Sequence, residues 1–415
     1  MQRWIVWVVA AMLLCGSTVT AVAQGTTILT VMDWKINETE QTQKWFQYVK
    51  ERFEAENPGV TVEYLPVNWE EVREKLLTGL AAGTAPDVVA LSIVWARDLY
   101  EMGALLPLND LIARTPEVDP RQFIPATQAY NQKDGVIFGI TNAMDSAALL
   151  YDIDAFESSG LDSHPEALAT WDDFVTAARR LIRQEAGDEI TRYAYATGLG
   201  IEVFNSWLVA NGGRFYDETL EKPAFASPQG LETASFLRDL YMTPGMIGGA
   251  FGTNAAMGHG GNWSPYFLMQ SHPDLNFNLT SYPMGPSGHA RGTTTWGNMS
   301  AIPSTSRNVE LAWKFISWYT SLEGNIEMFR QLRYVNSPRL DFYQSDVWYE
   351  AQQEYVWMPN IPQIALVGGV YPFLRYTDLD TTVWAPLVVP ALSGQSDIDT
   401  TFAEAQRIYS QILND

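Results

Sequence analysis

The chain has 415 residues, 47% hydrophobic and 13% aromatic, with 26 Lys and Arg against 48 Asp and Glu for a formal net charge of -22. That length suits two or three domains with cores of their own, and that apolar content excludes a disordered chain. The carboxylate surplus excludes nucleic acid and anionic lipid headgroups as partners, because binding to those polyanions rests on Lys and Arg neutralising phosphates.

Arg3 precedes an apolar stretch from Trp4 to Leu14, too short to span a bilayer, and Ala21-Val22-Ala23 follows. This pattern predicts a signal peptide over residues 1–23, cleaved after Ala23, and export to the periplasm. Cys15, the only cysteine, falls inside it. Leu14 stands where a lipid-modified cysteine has a small residue before it, so a free periplasmic protein is expected, without disulfides.

Thr27 to Met32 is β-branched and apolar and predicts a strand; Trp45, Phe46, Val49 and Phe53 follow at helical spacing until Asn57-Pro58-Gly59 ends the helix. Val60 to Tyr64 alternates as a strand does. Asn68 with Glu71 forms a capping box before a helix carrying Val72, Leu76, Leu77 and Leu80, and Val88 to Leu91 is a short apolar strand. Further on, Thr170 with Asp173, Asn308, and Ser396 with Asp399 are read as helix starts. Such alternation predicts an α/β fold, a mostly parallel sheet covered by helices. Between residues 240 and 300, Gly258 to Trp263 and Thr293 to Asn298 join glycines to indoles, a composition suited to a cleft wall.

His164, His259, His272 and His289 show no metal-binding spacing, and no P-loop, G-x-G-x-x-G or G-x-S-x-G occurs, so no metal, cofactor or catalytic residue is expected. Carboxylates and aromatics are numerous enough to permit a secreted glycoside hydrolase, but no pair among them is singled out.

Phe138-Gly139-Ile140-Thr141 followed by Asp145 to Phe156 resembles the extracellular solute-binding proteins of family 1, the maltose/trehalose-type receptors of bacterial sugar ABC transporters. Phe53 to Val60, Ala82-Gly83-Thr84-Ala85-Pro86-Asp87-Val88, Gly103 to Leu108, Trp171 to Phe174, Asn211-Gly212-Gly213, Gly261-Asn262-Trp263, Ala312 to Phe315 and Met358 to Gln363 match in the family's order. Thr141 replaces the usual proline, and Ser92 stands where related receptors carry an Asp. The resemblance implies the two-lobe periplasmic-binding-protein fold, type II. Residues 24–145 plus 296–340 would form the N-terminal lobe and residues 146–295 plus 341–415 the C-terminal lobe, with crossings near 145–150, 292–298 and 335–350. It also implies a carbohydrate held between the lobes, delivery to an ABC permease, no enzymatic activity, and action as a monomer.

A pyranose offers a C–H face to an aromatic ring and a rim of hydroxyls to carboxylates, amides and guanidinium groups. On that chemistry and the family's positions, Trp263 is the expected stacking residue and Asp145 the expected acceptor, with Trp95, Trp296 and Asn298 beside them. Trp296, where the family carries glycine, would narrow the cleft in favour of a small sugar. Trp34, Glu38, Asn205, Tyr371 and Arg375 complete the candidates, although Arg375 is equally suited to pair with Asp378 or Asp380. Trp313, Trp318 and Trp348 are assigned to packing. An acidic cleft rich in tryptophan would also suit a polyol, osmolyte or polyamine through cation-π contact.

Overall fold

The computed structural model describes residues 26–185, 189–333 and 335–414. The expected signal peptide over residues 1–23, with Cys15, lies outside the described residues. Among the described residues no helix is long and apolar enough to cross a membrane.

The first strands are β1 (Thr27–Asp33), β2 (Val60–Pro66) and β3 (Val88–Ser92); β1 pairs parallel with both β2 and β3. Helices α1 (Glu40–Glu56) and α2 (Val72–Ala82) make the crossovers, and α3 (Ile93–Glu101) leaves the end of β3. The box at Asn68 and Glu71 closes as expected, on a short 3-10 turn leading into α2. Asp87, buried before β3, accepts from Thr30 N–H and Oγ1 (both 3.0 Å), Ser306 Oγ (2.7 Å) and Asn308 Nδ2 (3.2 Å). A buried carboxylate needs such partners, and these pin the two parallel strands together.

Strand β4 (Ile140–Asp152) crosses from this first lobe to the second. There β5 (Arg183–Gln184), β6 (Ile190–Ala196), β7 (Ala255–Gly261) and β8 (Phe277–Thr280) continue the sheet, with α4 (Trp171–Leu181) and α5 (Ile201–Ala210) packed on it. Thr170 and Asp173 cap α4 reciprocally, at 3.0 and 3.2 Å. Strand β9 (Thr293–Ala301) carries the chain back, antiparallel to β4 and β3. Helices α6 (Val309–Tyr319) and α7 (Leu322–Leu332) then return to the first lobe's core, where Phe315 and Tyr319 meet Phe53 and Phe46. Strand β10 (Gly368–Val370) and α8 (Ile398–Asn414) complete the second lobe.

The result is a ten-stranded sheet in the order β2-β1-β3-β9-β4-β7-β6-β5, with β8 on β4 and β10 on β9. Its parallel portion lies within each lobe. The strands that leave and return necessarily run in opposite directions, so the junction is antiparallel. Two sequence details shift. Asp397, not Ser396, accepts from Thr400 N–H to start α8, because the helix begins one residue later than the box requires. Asn308 spends its amide on Ile28 O and Asp87 instead of capping α6.

Where the lobes join, the interior is polar. Ser146 Oγ meets Thr295 Oγ1 at 2.7 Å, Thr293 Oγ1 donates to Ala147 O at 2.7 Å, and the Tyr130 hydroxyl donates to Thr295 O and accepts from Tyr371 N–H. Asn262 is the centre of this junction: Oδ1 accepts Ser146 N–H at 2.8 Å, while Nδ2 donates to Met144 O at 3.0 Å and to Val335 O at 2.8 Å. One amide thus joins β4, the end of β7 and a third connecting segment, which also accepts Met144 N–H through Asn336 O at 2.7 Å. Trp313 and Trp348 are buried, and Trp318 packs under Arg52 at 4.7 Å, as their helical spacing predicts.

Candidate functional site

Alternation along a strand decides which side chains share the face of the crossing strands. Trp296 pairs with Asp145, and Gly261 with Ala147, so Trp296, Asn298, Asp145, Gly261 and His259 all lie on one face. Asn298 Nδ2 donates to Asp145 Oδ2 at 3.2 Å. A Cβ on Gly261 would fall 2.0 Å from Trp263 Cζ3, so the bare backbone there is what lets the Trp263 ring lie against the strand. From that seat Trp263 meets Trp296, with ring centroids 5.4 Å apart; Trp296 meets Tyr371 at 5.2 Å, and Tyr371 meets Tyr376 at 5.6 Å. Four rings therefore form a continuous row beside one carboxylate and one amide. Each tilted pair contributes about 0.5–1.5 kcal/mol beyond its area, which holds the row in place before anything binds. Tyr376, which sequence reasoning did not single out, ends the row, its hydroxyl accepting from that of Tyr371 at 3.0 Å.

The first lobe supplies the facing wall from the carboxyl ends of its strands, where open α/β sheets place ligands. Asp33 ends β1 and caps the turn Trp34–Asn37 by accepting Lys35 N–H at 2.9 Å. Trp34 and Glu38 line one groove with Trp69 and Lys75. Trp95 lines another with Arg73, Asp98, Arg375 and Asp378. Trp69 packs against Trp95 with centroids 4.6 Å apart and ring planes tilted by 39°, so the two grooves adjoin. The half-exposed ring of Trp69 follows a polar cap, a placement that is the one sequence signal for it. Arg375 donates to Asp378 Oδ2 at 2.8 Å and has φ of 43°, a left-handed conformation unusual for a side-chain-bearing residue. Asn205 is fully buried away from the cleft, donating to Thr294 Oγ1 at 2.9 Å and Val370 O at 3.0 Å.

The site's electrostatics are acidic. Burial pushes the Asp145 carboxyl up to about 6, against the pull of Lys35, and Glu202, Glu38 add to the rise while Asn298 opposes it. Burial likewise raises Asp33 to about 6, with Lys35 lowering and Glu38 raising it. A carboxyl whose folded pKa lies above its unfolded value of 3.8 gives stability that is present below pH 4 and lost as pH rises through 6. Asp145→Asn is therefore expected to raise the melting temperature at pH 7, by on the order of 1–3 kcal/mol of stability, and to flatten its pH dependence between 4 and 6. Melting curves at pH 4, 5, 6 and 7 check this; an unchanged or lower value at pH 7 contradicts it.

Two contacts span the cleft mouth: Arg97 Nη2 to Glu221 Oε1 at 3.4 Å and Thr39 Oγ1 to the Tyr266 hydroxyl at 3.3 Å. Both sit near the surface, where such pairs contribute little and break readily, as an opening cleft requires.

The family model of bacterial extracellular solute-binding proteins matches residues 37–326, and the chain belongs to that family. It is 27% identical to a Brucella abortus protein named only as a binding protein, over 325 residues, 74% of this chain and 75% of the relative. It is 23% identical to the arabinooligosaccharide-binding protein of Bacillus subtilis over 297 residues, 67% of this chain and 65% of that one. The crystal structure of the cyclic α-maltosyl-1,6-maltose binding protein of Arthrobacter globiformis superposes with a TM-score of 0.80, at 18% identity, covering 94% of this chain and 99% of that one. The fold is the two-lobe periplasmic-binding-protein fold.

Proposed function

We propose that the protein is a periplasmic receptor that closes on a neutral carbohydrate between its lobes and delivers it, unchanged, to an ABC permease. The observation that carries this reading is the row Trp263, Trp296, Tyr371 and Tyr376 beside the Asp145–Asn298 pair. Flat rings accept the C–H face of a pyranose, and the carboxylate and amide meet its hydroxyls with charge-assisted bonds. The sugar ligands named for the Bacillus subtilis and Arthrobacter globiformis proteins point the same way. The boundaries expected from sequence, 24–145 plus 296–340 and 146–295 plus 341–415, are kept as the two rigid bodies of that closure, and Trp34, Glu38, Trp95 and Arg375 as its first-lobe and rim contacts. The protein acts as a monomer, without cofactor or metal.

A melting-temperature panel of neutral mono- and disaccharides, polyols and amines tests the reading. A ligand bound only to the folded state adds about 2.7 kcal/mol at a hundredfold excess over its Kd, so a neutral sugar is expected to raise the melting temperature by several degrees and to be recovered intact. Steady release of product sugars would make the protein a hydrolase. A second reading, a cationic ligand, is favoured by Asp33, Glu38 and Asp145 standing around a single Lys35; a shift with amines alone would establish it.

A further inference from the structure

The segment from Tyr371 to Tyr376 carries two rings of the row, yet it belongs to no strand or helix until Tyr376. Backbone outside regular structure must find its hydrogen bonds elsewhere, and here buried tyrosine hydroxyls supply them. Tyr371 N–H donates to the Tyr130 hydroxyl at 2.6 Å, Pro372 has no N–H, and Phe373 and Leu374 N–H both donate to the Tyr216 hydroxyl, at 3.1 and 3.0 Å. The Tyr409 hydroxyl, from α8, donates to Leu374 O. The Phe373 ring lies edge-on to both Tyr130 and Tyr216, with centroids 5.2 and 5.8 Å apart.

One proton per hydroxyl fixes the direction of the bond that remains. Tyr409 spends its proton on Leu374 O, which can only accept, so in the 2.7 Å contact between the two hydroxyls Tyr216 donates to Tyr409. Tyr216 then keeps both lone pairs for the N–H groups of Phe373 and Leu374. The pair thus claims both the N–H and the C=O of Leu374 and sets the peptide planes on either side of it. Arg375 follows at φ 43° and ψ 43°, a left-handed conformation that persists in a side-chain-bearing residue where its surroundings over-determine it. Past that turn Tyr376 comes back against Tyr371, ring centroids 5.6 Å apart.

We infer that Tyr216, with Tyr409 behind it, is a positioning residue for the ligand: the two hydroxyls pin the backbone between Tyr371 and Tyr376 and so preorganise the tyrosine half of the ring row. The inference rests on the carbohydrate reading above. Both tyrosines are buried, so their action on a sugar passes through Tyr371 and Tyr376. The pin ties that half of the row to the last helix and to the loop after α5, and a platform ordered before binding spares the ligand the cost of ordering it.

Two measurements on the wild type, Tyr216→Phe, Tyr409→Phe and Tyr151→Phe test this, both well below the melting temperature of each variant. Tyr151 is the control: its buried hydroxyl donates to Ser163 O at 2.8 Å, far along β4 from Asp145. In the unliganded protein, amide hydrogen exchange over 371–376 is expected to be slow in the wild type and in Tyr151→Phe. In Tyr216→Phe, and less so in Tyr409→Phe, it is expected to quicken there while β1 to β3 keep their protection. In calorimetric titration with D-glucose, L-arabinose and maltose, Tyr216→Phe is expected to weaken the sugar that binds best by about tenfold or more, Tyr409→Phe by about three- to tenfold, and Tyr151→Phe by less than about twofold even though its melting temperature falls. Affinity within about twofold of wild type in Tyr216→Phe, or exchange over 371–376 that stays slow or quickens no more than elsewhere, overturns the inference and leaves the carbohydrate reading standing. A wild-type protein that binds none of the three sugars overturns that reading and the inference with it.

Discussion

Trp296→Ala is expected to weaken sugar binding by about 2–3 kcal/mol, roughly 30- to 150-fold in Kd. Trp296 is the middle ring of the row, in contact with both Trp263 and Tyr371. Removing it takes away a stacking face and also frees its two neighbours to turn, so binding loses area and preorganisation together. The ring is only partly buried in the free protein, so the loss in unliganded stability should be smaller than the loss in binding. Paired titration and melting experiments separate these. If melting falls as much as affinity, or affinity does not change, Trp296 is a packing residue and the row is no binding platform.

Asn262→Ala is expected to be the most destabilising single change at the lobe junction, by about 3 kcal/mol or more. The substitution strands Ser146 N–H, Met144 O and Val335 O, all partners of one buried amide, and a buried group left unpaired costs about 1–3 kcal/mol. Asn262→Asp should not rescue it, since a carboxylate keeps the acceptor for Ser146 but loses both donors and buries a charge. A fall of several degrees in melting temperature is the expected reading for both variants. A fall below about 1 °C would mean that the three segments are held by something else.

The sequence makes some of this legible and hides the rest for identifiable reasons. The strand-helix alternation from Thr27 to Leu91 and the reciprocal cap of Thr170 and Asp173 are local, and the structure reproduces them. Asp145, Asn298, Trp263, Trp296 and Tyr371 come from four distant segments, and the crossing strands bring them to one place. Asn205 is a candidate ligand contact in sequence, yet its side-chain nitrogen donates to the equally buried Thr294 and to Val370 O, contacts that depend on distant segments. The contact of His259 Nε2 with Glu202 Oε1 at 2.8 Å spans 57 residues, so no local spacing in the sequence pairs the two. Asn262 lies in plain view between Gly261 and Trp263, but its role rests on carbonyls of two other segments that no spacing rule foretells.

The measurement that bears most directly on closure around a sugar is a crystal structure of the protein with the neutral sugar that raises its melting temperature most. The pyranose is expected to lie between the lobes, its C–H face on Trp263 or Trp296 and a hydroxyl donating to Asp145. A sugar found elsewhere on the surface, or an ordered cleft with no ring against either indole, would contradict it.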